Sequence, residues 1–294
     1  MLVEVTPRLR CRLIVEADRT SLVDLLRQGF SDRPRSYWER AFDHLARRDA
    51  PEGYPRFGYV LEIDGALVGV ILTIFSRLPG EPQNGVRCNV SSWYVDSRYR
   101  SYASLLVMSA TRYKGVVYIN ASPAPFTWRV IEAQGFTRYV YGQMLTFPAL
   151  SLWMAREHAH VFDPERDYGS SLTKEECDLL KLHAEYGCSC FVVTEKRGAC
   201  AHPFVFLRLR VLRGLLPAMQ LIYCRDIADY WRFAGALGGA FARQGAFGAL
   251  CDATDRQPGV LGKYFVGRGP KYFKGSPQPR LGDLANTEAV IFGL

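Results

Sequence analysis

The sequence predicts a mixed α/β fold: a largely antiparallel sheet with a parallel pair in its middle, built twice in tandem. Three observations lead there. Over the first 150 or so residues the elements follow the order β-α-α-β-β-β-α-β-α-β-β. Asp64-Gly65 sits between two apolar runs, a strong hairpin signal, and a strand–turn–helix–strand crossover follows, which requires a parallel pair. The second half then runs helix, hairpin, strand, helix, strand and tail, paralleling residues 37–147 without recognisable sequence identity. A parallel pair can splay at its strand ends and leave a crevice with a helix start pointing into it.

Each element has a local reason. Residues 12–16 (RLIVE) alternate and read as a strand. Asp18 or Thr20 can cap the next helix, whose Leu22, Val23, Leu25, Leu26 and Phe30 recur at helical spacing. Pro34 breaks the chain, and a second helix follows from Tyr37 to Arg47 with Trp38, Ala41, Phe42 and Leu45 on one side. After the Asp64-Gly65 hairpin, Cys88 to Val95 is extended and ends in the basic turn DSRYRS. A helix starts near Ser101 or Tyr102, with Leu105, Leu106, Met108 and Ala110 inside, and Gly115 stops it before the buried strand VVYIN at 116–120. Ser122-Pro-Ala-Pro reads as a capped helix entry. That helix runs through Trp128, Val130, Ile131 and Ala133 to Gly135-Phe136, and two extended segments reach Phe147.

Residues 1–148 form the expected first domain, 149–172 a connector, and 173–294 a second domain. Thr173 and Glu176 spell a capping box for a helix to Tyr186. Two strands flank Lys196-Arg197-Gly198, and 218–224 is another strand. A helix opening at Asp226 or Asp229 reaches about Gln244, with Gly235, Gly238 and Gly239 suggesting close backbone packing. Residues 247–254 form a strand, 256–280 a loop, and the tail EAVIFGL reads as strand-like.

Composition bounds the function. Hydrophobic residues are 48% and charged residues 22%, as in an ordinary globular protein. Neither an uninterrupted apolar run of about 20 residues nor an export signal is present, so the expectation is a soluble, cytoplasmic protein. The net charge of +8 is spread along the chain without a basic block. It suits a polyanionic small ligand, and with no helix-turn-helix or aromatic RNA-binding signature it argues against nucleic acid. Eight cysteines without an export signal read as free, mostly buried thiols. Cys188-x-Cys190 and Cys200-x-His202 match zinc spacing only loosely, and no metal is expected.

Two motifs carry a resemblance. The first is Trp93-Tyr94-Val95-Asp96-Ser97-Arg98-Tyr99-Arg100-Ser101-Tyr102-Ala103-Ser104-Leu105-Leu106, a strand, a Tyr-Arg turn and a helix start. The second is VVYINASPAPFTWRVIEAQGF, ending in Gly135-Phe136. In order of elements and in these motifs, residues 10–148 resemble the GNAT superfamily of coenzyme A-dependent N-acyltransferases. The resemblance implies an acyl-CoA co-substrate, acetyl-CoA above all. It implies an amine acceptor on a small molecule or peptide, and a second, degenerate copy of the fold in the C-terminal half. The alternative is a GNAT-like coenzyme A-binding or regulatory module without catalysis.

The physical reading of the turn agrees. Backbone N–H groups at a helix start attract a pyrophosphate, and Arg98 and Arg100 add guanidinium charge. The expected cofactor-binding set is Tyr94, Val95, Arg98, Arg100, Ser101, Tyr102, Ala103 and Ser104, with Asn120 and Ser122 beside it. The family's loop glycines fall at Ala103 and Leu105 here. The usual helix tyrosine before Gly-Phe is absent, as is the carboxylate near the start of the fourth strand, where Cys88-Asn89-Val90 stands. The catalytic groups are therefore unassigned; Tyr94, Tyr139, Tyr141 and Ser92 are the replacements considered. The second half has an acidic turn, Arg225-Asp226-Ile227-Ala228-Asp229, which would repel phosphate, so no cofactor is expected there.

Overall fold

The computed structural model describes residues 9–78, 85–154, 157–195, 200–257 and 261–293. The chain divides into two compact units. One holds residues up to Ala121 together with 274–277 and 286–293; the other holds Ser122–Phe273 and 278–285.

In the first unit β1 (Leu9–Leu13), β2 (Gly58–Ile63), β3 (Ala66–Arg77) and β4 (Val86–Val95) form an antiparallel run in that order. β5 (Val116–Asn120) adds to β4 in parallel. The helices are α1 (Arg19–Gly29), α2 (Arg35–Arg47) and α3 (Ala103–Ala110). The hairpin turn is as expected: Asp64 and Gly65 take φ of 49° and 86°, the left-handed pair that a two-residue turn needs. α1 and α2 bury Leu22, Leu26, Trp38, Phe42 and Leu45, and Phe42 stacks on Phe57 at 4.5 Å. The first strand lies three residues earlier than its alternation suggested. Arg10 and Arg12 both bond Glu62 on β2, and Asp18 accepts from Arg12 and from the Val15 N–H, curling residues 16–18 into a 3-10 turn.

In the second unit the helices are α4 (Trp128–Ala133), α5 (Lys174–Glu185), α6 (Ile227–Arg232) and α7 (Ala234–Arg243). The strands are β6 (Thr137–Thr146), β7 (His158–Val161), β8 (Ser189–Thr194), β9 (Ala201–Val211), β10 (Leu216–Cys224), β11 (Gly248–Ala253) and β12 (Gly262–Lys274). The sheet order is β12-β6-β11-β10-β9-β8-β7, with β10 and β11 parallel and the other neighbours antiparallel. Phe191, Phe204, Phe206, Tyr230, Phe233 and Phe241 fill the core between this sheet and α6–α7. The capping box forms as read: the Glu176 N–H donates to Thr173 Oγ1 and the Thr173 N–H to Glu176 Oε2. Gly238 touches the backbone of Pro148, where a Cβ would sit 2.3 Å from the carbonyl carbon.

Six further expectations need correction. One long strand, β6, replaces the two extended segments before Phe147. Ser122 does not cap the helix after β5; the N-cap is Ala124, and a 3-10 turn at Pro125–Thr127 leads into α4. The connector contains strand β7, paired with β8. The 256–280 loop contains strand β12, which pairs with β6 through Gly262–Val266 and again from Lys271, with a bulge between. The expected helix from 226 to 244 breaks at Phe233, giving α6 and α7. The tail, too, is helical: Glu288–Ile291 is a short helix, α8, belonging to the first unit. Lys196-Arg197-Gly198 lies outside the described residues.

Candidate functional site

The site begins where β4 and β5 part. Their parallel pairing runs from Val86↔Val116 to Asn89↔Ile119 and stops. The rest of β4, Val90–Val95, keeps its β3 partner but has no β5 partner among the described residues. A bulge marks the same stretch: Val70 faces Tyr94 and Leu72 faces Ser91, so two β4 residues oppose Ile71 alone. Ser92 takes up the extra length with φ of 51°. β4 thus presents an edge of backbone donors and acceptors, which suits an extended, amide-bearing ligand.

The turn after β4 is organised by Asp96. Its N–H donates to Val68 O, and its carboxylate accepts from the Arg98 N–H at 3.0 Å, from Arg98 Nε at 3.1 Å and from an Arg98 terminal nitrogen at 2.9 Å. The Arg98 side chain and backbone together pull the Asp96 carboxyl down to about 2. Residues 97–102 form a 3-10 turn running directly into α3. The expectation of free N–H groups at this helix start is corrected in part. Arg98 N–H is spent on Asp96 Oδ1, Tyr99 N–H on Asp96 O, and Ala103 N–H on Arg100 O. No residue of the turn has positive φ, so Ala103 and Leu105 stand there without strain where glycines would be needed for a tighter phosphate wrap.

Arg100, Ser101, Tyr102 and Ser104 are exposed, Ala103 is half-buried and Val95 is buried. Among the described residues the Arg100 side chain has no hydrogen-bond or ion-pair partner, unlike that of Arg98, which is engaged with Asp96. Tyr94 is half-buried, its ring lying against the backbone of Gly29, where a Cβ would come within 2.3 Å. Burial, and then the nearby Asp96 charge, raise the Tyr94 phenol, while Arg100 opposes them. Tyr94 is therefore a neutral hydrogen-bond donor at ordinary pH. Asn120 ends β5 half-buried; Ser122 is exposed and belongs to the other unit.

The other replacements lie elsewhere or do other work. Tyr139 is buried in the second unit, edge-on to Phe273 at 5.8 Å. Tyr141 is exposed, its hydroxyl donating to Arg138 O, also in the second unit. Ser92 Oγ lies 3.1 Å from Ser91 Oγ. Cys188 and Cys190 are buried and burial pushes both thiols up to about 12, while His202 turns to Asp229 at 3.0 Å and Glu195 at 3.3 Å. In the second half Arg225 is held by Glu176 and the Ser171 and Ala201 carbonyls, and Asp226 caps α6 by accepting from the Ala228 N–H.

Sequence reasoning missed two residues of the first unit, Asn89 and Glu288. Asn89 holds the point of the fork: its Nδ2 donates to Ile119 O at 3.2 Å, and its Oδ1 accepts from the Glu288 N–H at 2.8 Å. Glu288 is buried, its backbone N–H reaching β4 through Asn89 while its charge is felt by Tyr37 of α2. Aromatic rings link the two ends of this region: Tyr94 to Phe30 at 6.5 Å, Phe30 to Trp38 at 5.4 Å, and Trp38 to Phe292 at 6.3 Å. The signal was present as Thr287-Glu288 ahead of Val290 and Ile291, a helix start rather than a strand.

No protein-family model matches the sequence, and no curated protein sequence matches it. Solved structures do. A GCN5-related N-acetyltransferase from Anabaena variabilis superposes with a TM-score of 0.56 at 11% identity, covering 90% of this chain and 72% of that one. One from Kribbella flavida gives 0.54 at 13%, covering 92% and 71%. One from Sphaerobacter thermophilus gives 0.50 at 15%, covering 94% and 98%. The β4–β5 fork, the helix that starts beside it and these superpositions agree: the chain has the fold of the GCN5-related N-acetyltransferases.

Proposed function

We propose that the first unit binds an acyl-CoA and transfers its acyl group to an amine of a small molecule or peptide. The observation that carries this reading is the unpaired edge of β4 leading straight into a turn with the unpartnered Arg100, on this fold. The Val90–Val95 edge would pair with the amide-rich pantetheine arm, and the 98–104 turn would receive the pyrophosphate. Acyl transfer joins the amine nitrogen to the thioester carbonyl carbon and breaks the carbon–sulfur bond; the nitrogen loses a proton and the thiolate gains one. A backbone N–H on the 92–95 segment would polarise the carbonyl. We take Glu288, whose N–H meets Asn89 at the fork, as the carboxylate that would accept the amine proton, and solvent returns one to the thiolate. Holding two reactants in line supplies about 7–11 kcal/mol of the barrier reduction, so positioning carries much of the rate.

The second half repeats the first in outline: an antiparallel run, β8-β9-β10, then a helical crossover to the parallel strand β11. We read it as a degenerate second copy, with its own turn occupied by Asp226 and Asp229. A second reading, a coenzyme A-binding module without catalysis, is favoured by one observation: Asp96 already satisfies Arg98 and the first N–H groups of the turn. The test is calorimetry with coenzyme A and acetyl-CoA, followed by thiol release over a panel of amines. Binding with turnover supports the transferase, and Glu288→Gln should then lower the rate by about 10²–10⁴ with binding retained. Binding without turnover supports the module.

A further inference from the structure

The second unit holds a cavity of about 420 Å³, open to solvent, at the end of α7. Its origin lies in the alternation of β9. Phe204 and Phe206 point toward α7 and are fully buried in the core beneath it. The next two positions on the same face are Arg208 and Arg210, but α7 stops at Arg243. Gly245, with φ of 73°, turns the chain away: its N–H bonds Ala242 O, and the Ala246 N–H bonds Phe241 O. The sheet face beyond the helix end is left uncovered, walled by Pro217 and Ala246 and headed by the two guanidinium groups.

The polar side chains there face the cavity as donors. Gln244 Oε1 is saturated, accepting from Ser189 Oγ at 2.9 Å and from Arg208 at 2.7 Å, which leaves its amide N–H₂ to donate. Arg210 is steadied by Gly214 O at 3.1 Å. The Pro217 carbonyl is taken by the Phe247 N–H, and Pro217 has no N–H of its own. Among the described residues neither Arg208 nor Arg210 has a carboxylate within ion-pair distance. The carbonyl end of α7 supplies only about half a negative charge against two guanidinium groups. The strand spacing sets their Cα atoms about 7 Å apart, close enough to share one oxyanion.

The geometry points to a binding site, separate from the β4–β5 fork, for a small organic anion: a carboxylate or phosphate monoester on a compact apolar body. The anion meets Arg208 and Arg210, and the body lies on Pro217 and Ala246. The volume falls within the range of small-ligand sites, roughly 300–1,000 Å³. The test titrates the full chain with benzoate, phenyl phosphate, inorganic phosphate and neutral benzamide, read by calorimetry and by NMR shifts. Benzoate or phenyl phosphate should bind at one site and benzamide should not. Arg208→Gln and Arg210→Gln, both on the surface, should each weaken binding at least about tenfold, as expected for a lost charge-assisted hydrogen bond. The site is overturned if no anion binds, if benzamide binds as well as benzoate, or if the two variants bind like the parent. Binding of inorganic phosphate as tight as phenyl phosphate would overturn the apolar half of the assignment.

Discussion

Asp96 sets how much of the turn's positive charge a ligand can use. Its carboxylate stays ionised across any assay range, because Arg98 holds it at about 2. Asn at that position still accepts the Arg98 N–H and caps as well as Asp, but releases the guanidinium and removes a negative charge. Asp96→Asn should therefore leave thermal stability nearly unchanged and tighten coenzyme A binding several-fold at any pH above about 5, as calorimetry would show. Weaker binding in that variant would mean Asp96 orients Arg98 for the phosphate rather than competing with it. Tyr94 is the second informative residue. Its phenol is held neutral, and a thiolate departs without needing full protonation, so Tyr94→Phe should lower turnover by less than about tenfold, below the 10²–10⁴ of an acid–base group. A thousandfold loss with coenzyme A binding intact would make Tyr94 the acid. The sequence made Arg98 and Arg100 look equivalent; only the backbone shows that one is committed to Asp96 and the other is exposed.

At the scale of elements, α5 carries the most local information. Glu176 closes the capping box and also takes two bonds from Arg225, so one side chain fixes a helix start and a strand end together. Replacing it by Ala leaves Arg225 and the Thr173 N–H without their carboxylate. The expected cost is about 2–3 kcal/mol, below the 3–5 of a fully buried pair because a third of the Arg225 side chain is exposed. Denaturant melts of Glu176→Ala should show it; a loss under about 0.5 kcal/mol would place the pair among surface contacts. Local signals of this kind made α5, the Asp64-Gly65 hairpin and β5 legible in the sequence. They failed where long-range pairing decides. The Pro- and Gly-containing stretch that becomes β12 is extended because β6 offers it a register, not because of its own pattern. Likewise EAVIFGL is apolar enough for a strand and becomes α8 on contact with Trp38 and His44. The fork between β4 and β5 was legible as strand–turn–helix–strand, whereas Glu288 lies 199 positions from Asn89 and no local pattern joins them.

At the scale of the molecule, the first unit is completed by the end of the chain. Thr287, Val290, Ile291 and Phe292 are all buried, Phe292 packs on Trp38, and His44 Nδ1 lies 2.6 Å from Ile291 O. A fragment of residues 1–150 lacks this segment. At about 1.5–3 kcal/mol per buried apolar side chain it forgoes a large part of the 5–15 kcal/mol by which a domain is stable. It should be poorly soluble, bind a hydrophobic dye and melt without cooperativity; a stable, monomeric, cooperatively folding fragment would show that the tail is dispensable. The central claim, that the β4 edge and the turn after it hold an acyl-CoA, is tested most directly by calorimetric titration of coenzyme A into the full chain and into Arg100→Ala. The account expects one saturable site in the parent and at least about tenfold weaker binding in the variant. No binding to the parent, or equal affinity for both proteins, would contradict it.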